Sequence, residues 1–301
     1  MIYHFHPIDR PMIWGAEQWI LSAYPGRDSI CVETGQNIWK MLCEQKERLV
    51  GKHIWERYGD TFPLLIKFID ARDDLSVQVH PSDALAQKYG EPFGKTEMWY
   101  ATESEPQARL YCGLRQHLTP ESYKQMVADK TILNALAEYP VKDGDSFFIP
   151  AGRIHAIGSG CRLCEIQQTS DTTYRIYDYD RVDKDGHPRE LHTERAAESI
   201  DYTVQDDYRV HHERKPNEPV KLVSCPYFTT NVLQINQPVS RDYSRLDSFV
   251  CLICLNGEGT ITGHGQTAAL TPGMLILLPA EDNGEVEING NLRALEVYID
   301  Q

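Results

Sequence analysis

The chain has 301 residues, 41% hydrophobic and 25% charged, a balance that excludes extended disorder and supplies enough apolar material for a sizeable core. Asp and Glu number 44 against 30 Lys and Arg, so the formal charge is −14, which disfavours nucleic acid and anionic membrane surfaces as partners. No apolar run approaches the ~18 residues of a membrane span, and Met1 to Pro7 has neither the basic start nor the apolar stretch of a secretion signal, so a cytoplasmic location with eight free cysteines is expected.

Residues 1 to about 36 read as short extended pieces punctuated by Pro11, Gly15, Pro25, Gly26 and Gly35. Residues 37–58 read as helical, with Leu42, Leu49 and Trp55 about two turns apart. Leu64 to Asp70 is an almost unbroken apolar run, the pattern of a buried strand. Leu75 to His80 alternates with period two and predicts a strand, closed by a turn at Pro81-Ser82-Asp83. Lys95 to Ala101 predicts another strand. Thr119-Pro120 opens a helix reaching in pieces to about Glu138, with Thr119 as cap. Ser122 stands where Glu or Gln would complete a capping box, so the box reads as incomplete.

Short strands follow to about residue 180, and Glu190 to Ile200 predicts a modest helix. The polar stretch 201–219, ending in Lys215-Pro216-Asn217-Glu218-Pro219, predicts a linker. Residues 220–301 read as short strands with turns at Asn256-Gly257, Thr262-Gly263, Asn283-Gly284 and Asn289-Gly290-Asn291. A short internal repeat supports two related β-barrels, residues 1–215 and 216–301. Gly144 to Pro150 and Gly273 to Pro279 both have the form G-x5-P, but only the first copy continues to a histidine, His155.

On the strand through Leu75–His80, Ser76, Gln78 and His80 share one face, and Val77 and Val79 the other. An apolar face opposite a Ser-Gln-His face predicts a polar cavity. Lys95 and Glu97 repeat that spacing. Gln78, His80, Glu97 and His155 therefore form a plausible four-ligand set for a divalent metal, and imidazole with carboxylate suits zinc. The pairs Cys161/Cys164 and Cys251/Cys254 lie in strand-like runs, where residues three apart point to opposite faces. They read as small buried hydrophobes. No phosphate-cradling glycine loop is present, so any phosphate must be held by side-chain cations. Arg175 and Arg181, set among aromatics and acids from Asp171 to Arg181, are available for that.

Leu75 to Pro81, Gly94 to Trp99, Pro150 to Gly158 and Ser170 to Arg175 occur in an order that resembles the type I mannose-6-phosphate isomerases in their compact bacterial form. Leu64 to Lys67 and Ile13-Trp14-Gly15 share the resemblance, which spans nearly the whole chain. It implies a mainly β protein of two cupin, jelly-roll-like barrels with short helical segments near 37–58 and 119–138. It also implies one Zn2+ per chain on Gln78, His80, Glu97 and His155, and interconversion of mannose 6-phosphate and fructose 6-phosphate through an enediol. The active-site polar residues it points to are Lys67, Ser76, Lys95 and Arg175; for an enediol route Arg175 suits the oxyanion, and Lys95 or Glu165, on the strand after His155, the proton carrier. Lys67, Ser76, Arg181 and Trp14 are the substrate contacts. The partner is a small sugar phosphate, and the chain is expected as monomer or homodimer. Position 181 is Arg where some relatives carry Lys, and His155 is followed by Ala-Ile where longer relatives have an aromatic. Two other readings remain open: a cupin that binds a sugar phosphate without turnover, and a metal-dependent cupin oxygenase. Gln78 as a ligand and Lys95 beside Glu97 favour the isomerase.

Overall fold

The computed structural model describes residues 1–182 and 185–300. Strands dominate, and among the described residues no helix is long and apolar enough to cross a membrane. The chain divides into two compact units, one of Met1–Asp9, Gln18–Phe68 and Val210–Gln301, the other of Arg10–Glu17 and Ile69–Arg209. One change of unit falls at 209/210, and much of the N-terminal segment groups with the C-terminal strands. Hydrogen bonding explains this: Tyr3–His6 pairs antiparallel with Leu275–Leu278, Tyr3 opposite Leu277. Ile2 adds to the apolar core of Leu233, Leu252 and Ile276. A sheet edge takes whichever strand satisfies its free N–H and C=O groups, at any distance in sequence.

In the first unit one sheet runs Pro219–Ser224, Thr229–Ile235, Glu285–Tyr298, Val250–Gly263, Leu275–Leu278, Tyr3–His6, Ile30–Cys31. This order runs from edge to edge without closing. The observed architecture is therefore mainly β with open sheets among the described residues, and the expected pair of barrels is not seen as closed rings. Two expected turns are also replaced. Asn256-Gly257 and Asn289-Gly290-Asn291 lie inside the two fourteen-residue strands, the first beside a shift of register between Cys254 and Asn256. Gly257 has φ 72°, and a Cβ there would sit 2.1 Å from the Asn291 carbonyl oxygen. The glycines serve close strand approach, which carries the same Asn-Gly signature as a turn.

The expected 37–58 helix is three short ones, Ile38–Gln45, Glu47–Val50 and Lys52–Tyr58. Positive φ at Lys46 and Gly51 interrupts the helical path. Asp247, remote in sequence, accepts from the Lys52 and His53 backbone N–H groups at the start of the third helix.

The second unit positions the site. One sheet runs Leu136–Pro140, Arg109–Leu114, His155–Ile157, Val77–Val79, Tyr174–Tyr177. Val77, Val79, Ala156, Tyr174 and Ile176 share an apolar cluster with Tyr123 and Val127 of helix Pro120–Ala128 and with Ala196 and Ala197 of helix Thr193–Ser199. Full burial of a residue of the size of Val, Ile or Leu contributes about 1.5–3 kcal/mol, which fixes this face inward and turns the alternate residues to the opposite side. A second run of strands, Ser146–Ile149, Glu97–Ala101 and Arg162–Gln168, is antiparallel throughout. Both G-x5-P copies take the same local form: Gly144 and Gly273 have φ 90° and 85°, a four-residue strand follows, and proline ends it.

Four local expectations need correction. Pro81-Ser82-Asp83 opens a helix, Asp83–Lys88, with the Ser82 hydroxyl capping Leu85 N–H. The helix at 119 stops at Ala128, and Leu136–Pro140 is a strand. The capping box is complete, because Ser122 Oγ accepts from Thr119 N–H at 2.8 Å just as a longer carboxylate would. The start of the expected linker is packed: Tyr208 is buried and donates to the Leu114 carbonyl at 3.1 Å. A Cβ on Gly113 would lie 2.1 Å from the Tyr208 ring, so glycine makes that room.

Candidate metal centre

Antiparallel register brings the centre together. Arg175, Gln78 and His155 stand directly opposite one another on three adjacent strands, so their side chains share a face. His80, two residues past Gln78, follows on the same side as the strand ends. Glu97 comes from the other run of strands. Ligand atoms of His80, Glu97 and His155 all lie within 4.8 Å of one another, and all three residues are fully buried. The imidazole rings lie 4.7 Å apart between centroids with their planes tilted by 51°, and Trp99 meets His155 edge-on at 5.2 Å.

The protonation pattern follows from the outer partners. His80 Nδ1 lies 3.0 Å from the Thr172 carbonyl and His155 Nδ1 lies 2.8 Å from the Arg153 carbonyl. A carbonyl only accepts, so each Nδ1 carries the proton and each Nε2 presents a lone pair. Those lone pairs face a carboxylate: His80 Nε2 is 3.4 Å from Glu97 Oε2, and His155 Nε2 is 3.6 Å from Oε1. Burial, aided by the Lys95 ammonium, pushes His80 down to about 3, and burial pushes His155 down to about 4. Burial alone would raise Glu97, but the neighbouring Lys95 cation outweighs it and holds the carboxyl well below its usual range.

Three acceptors thus converge in a buried site. Lys95 donates to His80 Nε2 at 3.0 Å and ion-pairs with Glu97 Oε2 at 2.7 Å. It leaves Glu97 Oε1 and His155 Nε2 buried without a hydrogen bond. Electron pairs aimed at one point need a cation, and this donor set of two neutral imidazoles and a carboxylate fits a divalent metal.

Around it, Glu165 stands opposite Trp99 and accepts from its indole N–H at 3.0 Å. Lys95 Nζ is 3.9 Å from the other Glu165 oxygen. Arg175 donates to the Glu190 carbonyl at 2.9 Å, and its own backbone N–H donates to His192 Nδ1. Burial, then repulsion from Arg189 and Arg181, lowers the Arg175 pKa without discharging it. Arg181 is committed to Asp178 at 2.6 Å and to the Asp74 carbonyl. Arg189, absent from the sequence reading, grips the same Asp178 carboxylate at 2.6 and 2.7 Å. Nothing in the local spacing of Arg189 marks it out.

Ser76 is buried just ahead of strand Val77–Val79. Trp14 packs in an apolar cluster with Ile69, Leu75 and Trp99. Lys67 is buried on strand Leu64–Ala71 and belongs to the other unit. Within the cysteine pairs, Cys254 packs in a cluster with Val250 and Leu252, while Cys251 between them points to the other face. All eight cysteines are free.

The family models "Phosphomannose isomerase type I, catalytic domain" and "Mannose-6-phosphate isomerase, cupin domain" match residues 6–126 and 219–299. Mannose-6-phosphate isomerase ManA of Bacillus subtilis is 33% identical, over 95% of each chain. The mannose-6-phosphate isomerase of Streptococcus mutans is 35% identical over 90% of this chain and 84% of its own. The crystal structure of a mannose 6-phosphate isomerase from Bacillus subtilis superposes with a TM-score of 0.87 at 27% identity, covering 98% of this chain and 99% of that one. A convergent His-Glu-His site on a mainly β scaffold, together with relatives matched end to end, places this chain in the type I mannose-6-phosphate isomerase family.

Proposed function

We propose that the chain is a zinc-dependent aldose–ketose isomerase that interconverts mannose 6-phosphate and fructose 6-phosphate through an enediol. The observation that carries the metal assignment is the buried pair Glu97 Oε1 and His155 Nε2, two acceptors 3.6 Å apart with no donor between them. Gln78, His80, Glu97 and His155 would hold the ion, Gln78 by virtue of its place opposite His155. Bound there, zinc supplies Lewis-acid polarisation and orientation of the sugar oxygens.

The chain's own residues handle the proton that moves between C1 and C2. Lys95 and Glu165 lie side by side at the centre, and either serves as the carrier. Trp99 fixes Glu165 by its indole hydrogen bond, so the carboxylate is held in one orientation. Arg175, on the same face as Gln78 and His155, stabilises negative charge on the enediolate oxygen. Lys67 and Arg181 are assigned to the phosphate, and Ser76 and Trp14 to the other substrate contacts. The burial of the centre excludes water, which strengthens each of these charges.

A coupled assay with mannose 6-phosphate tests the reading, run on purified protein before chelation, after it, and after zinc return. Activity that disappears and is restored supports it. No turnover in any metal state overturns it. Saturable binding without product selects the sugar-phosphate-binding cupin, and iron content with oxygen consumption selects the oxygenase.

A further inference from the structure

Gln167 is wholly buried and stands opposite Glu97 in the antiparallel register, two residues from Glu165 on the same face. Its carboxamide nitrogen donates to the carbonyls of Gln168 at 2.8 Å and Ser170 at 2.6 Å. Two carbonyl acceptors fix which end is nitrogen, because the flipped amide would set oxygen against oxygen. The other end, Oε1, is buried and makes no hydrogen bond, so the side chain is held from its nitrogen alone.

What that nitrogen holds is the turn from Gln168 to Thr172. Ser170 N–H closes on the Gln168 carbonyl at 2.7 Å. Ser170 Oγ donates to the Phe93 carbonyl at 3.2 Å and accepts from Thr172 N–H at 3.3 Å. The turn ends on the Thr172 carbonyl, which takes the proton of His80 Nδ1 at 3.0 Å. One chain of hydrogen bonds thus runs from Gln167, beside Glu97, to the atom that decides which imidazole nitrogen of His80 carries its lone pair.

We propose that Gln167 is a positioning residue of the centre: by pinning the 168–172 turn it presents the Thr172 carbonyl to His80 Nδ1 and so keeps the His80 lone pair on Nε2, the nitrogen that would bind metal. The inference rests on the metal-centre reading above. Partners that orient a metal-bound histidine are worth about 10–100-fold in metal affinity, so the contribution is measurable without turnover.

The test is metal affinity of the full chain, measured by competition between stripped protein and a chromogenic zinc chelator. Gln167→Met keeps the length of the side chain and removes both donors. It is expected to lower zinc affinity about 10–100-fold while the metal-free protein still unfolds in one cooperative thermal transition. Ser170→Ala is expected to lower affinity by a smaller factor. Thr172→Ala keeps the carbonyl and is expected to bind like wild type. Should Gln167→Met fail to fold, Gln167→Leu, of similar size and without hydrogen-bond donors, replaces it. Equal zinc affinity in wild type and a folded Gln167 variant overturns the inference and leaves the metal centre standing. No zinc binding by wild type overturns both.

Discussion

Gln78 and His155 face each other across adjacent antiparallel strands, and Arg175 faces Gln78 from the other side. This row of three puts an amide, an imidazole and a guanidinium on one surface, with His80 just beyond and Glu97 meeting both imidazoles. Distances within such a row are set by strand spacing.

Removal of one ligand should empty the centre. His80→Ala takes away an imidazole whose Nε2 lies 3.4 Å from Glu97. The purified variant is expected to contain less than about a tenth of an equivalent of metal, read by elemental analysis after dialysis, since loss of a direct ligand exceeds the ~10–100-fold cost of an outer partner. Stoichiometric metal would contradict the ligand assignment.

The proton carriers should separate activity from metal content. Lys95→Met and Glu165→Gln are each expected to retain folded structure, and the residue that moves the proton should lose about 10²–10⁴-fold in kcat. Glu165→Gln keeps a group able to accept from Trp99, so its metal content should match wild type. Full activity in both variants would remove the two residues from the mechanism.

Acid should destabilise the metal-free protein. Both imidazoles start from 6.5 and are held at about 3 and about 4 in the fold, so the unfolded chain binds more protons below pH 6.5. Their contribution to stability is present above pH 6.5 and drains away as the pH falls toward 4, with Glu97 continuing the same trend at lower pH. The thermal midpoint of chelator-treated protein is expected to fall across that window, and His155→Gln should flatten the fall. A midpoint independent of pH there would contradict the burial of neutral imidazoles.

Asp247 caps a helix remote from it in sequence, accepting from Lys52 and His53 N–H at 2.8 and 3.0 Å. Asp247→Ala is expected to cost about 1 kcal/mol, read by chemical denaturation, because a lost cap leaves two N–H groups without their acceptor. Asp247→Asn should recover most of it. Unchanged stability in the alanine variant would mean that water replaces the cap at no cost.

Gly257→Ala tests the strand-crossing role of an Asn-Gly pair. With φ 72° and a Cβ 2.1 Å from a backbone oxygen, the substitution should destabilise by more than the ~1 kcal/mol of a helical cap. A neutral effect would restore the turn reading of that pair.

Local rules determined a good part of this protein. The alternation Ser76-Val77-Gln78-Val79-His80 assigned faces correctly, because the pleat sends successive side chains to opposite sides whatever the strand pairs with. The opposite orientation of Cys251 and Cys254 and the Gly-x5-Pro strands follow from the same geometry. Ordered motifs from Leu75 to Arg175 were enough to point to the family that the comparisons show.

Tertiary structure decided the rest. The lone pairs of His80 and His155 are aimed by carbonyls of Thr172 and Arg153, and backbone carbonyls leave no mark in a sequence. Arg189 and Gln167 matter through Asp178 and a turn, contacts that local spacing does not encode. The N-terminal strand chose the edge at Leu275–Leu278, and Asn256-Gly257 became part of a strand irregularity. In each case the deciding term is a long-range pairing, set by which backbone groups and which apolar faces remain unsatisfied once the chain has closed on itself.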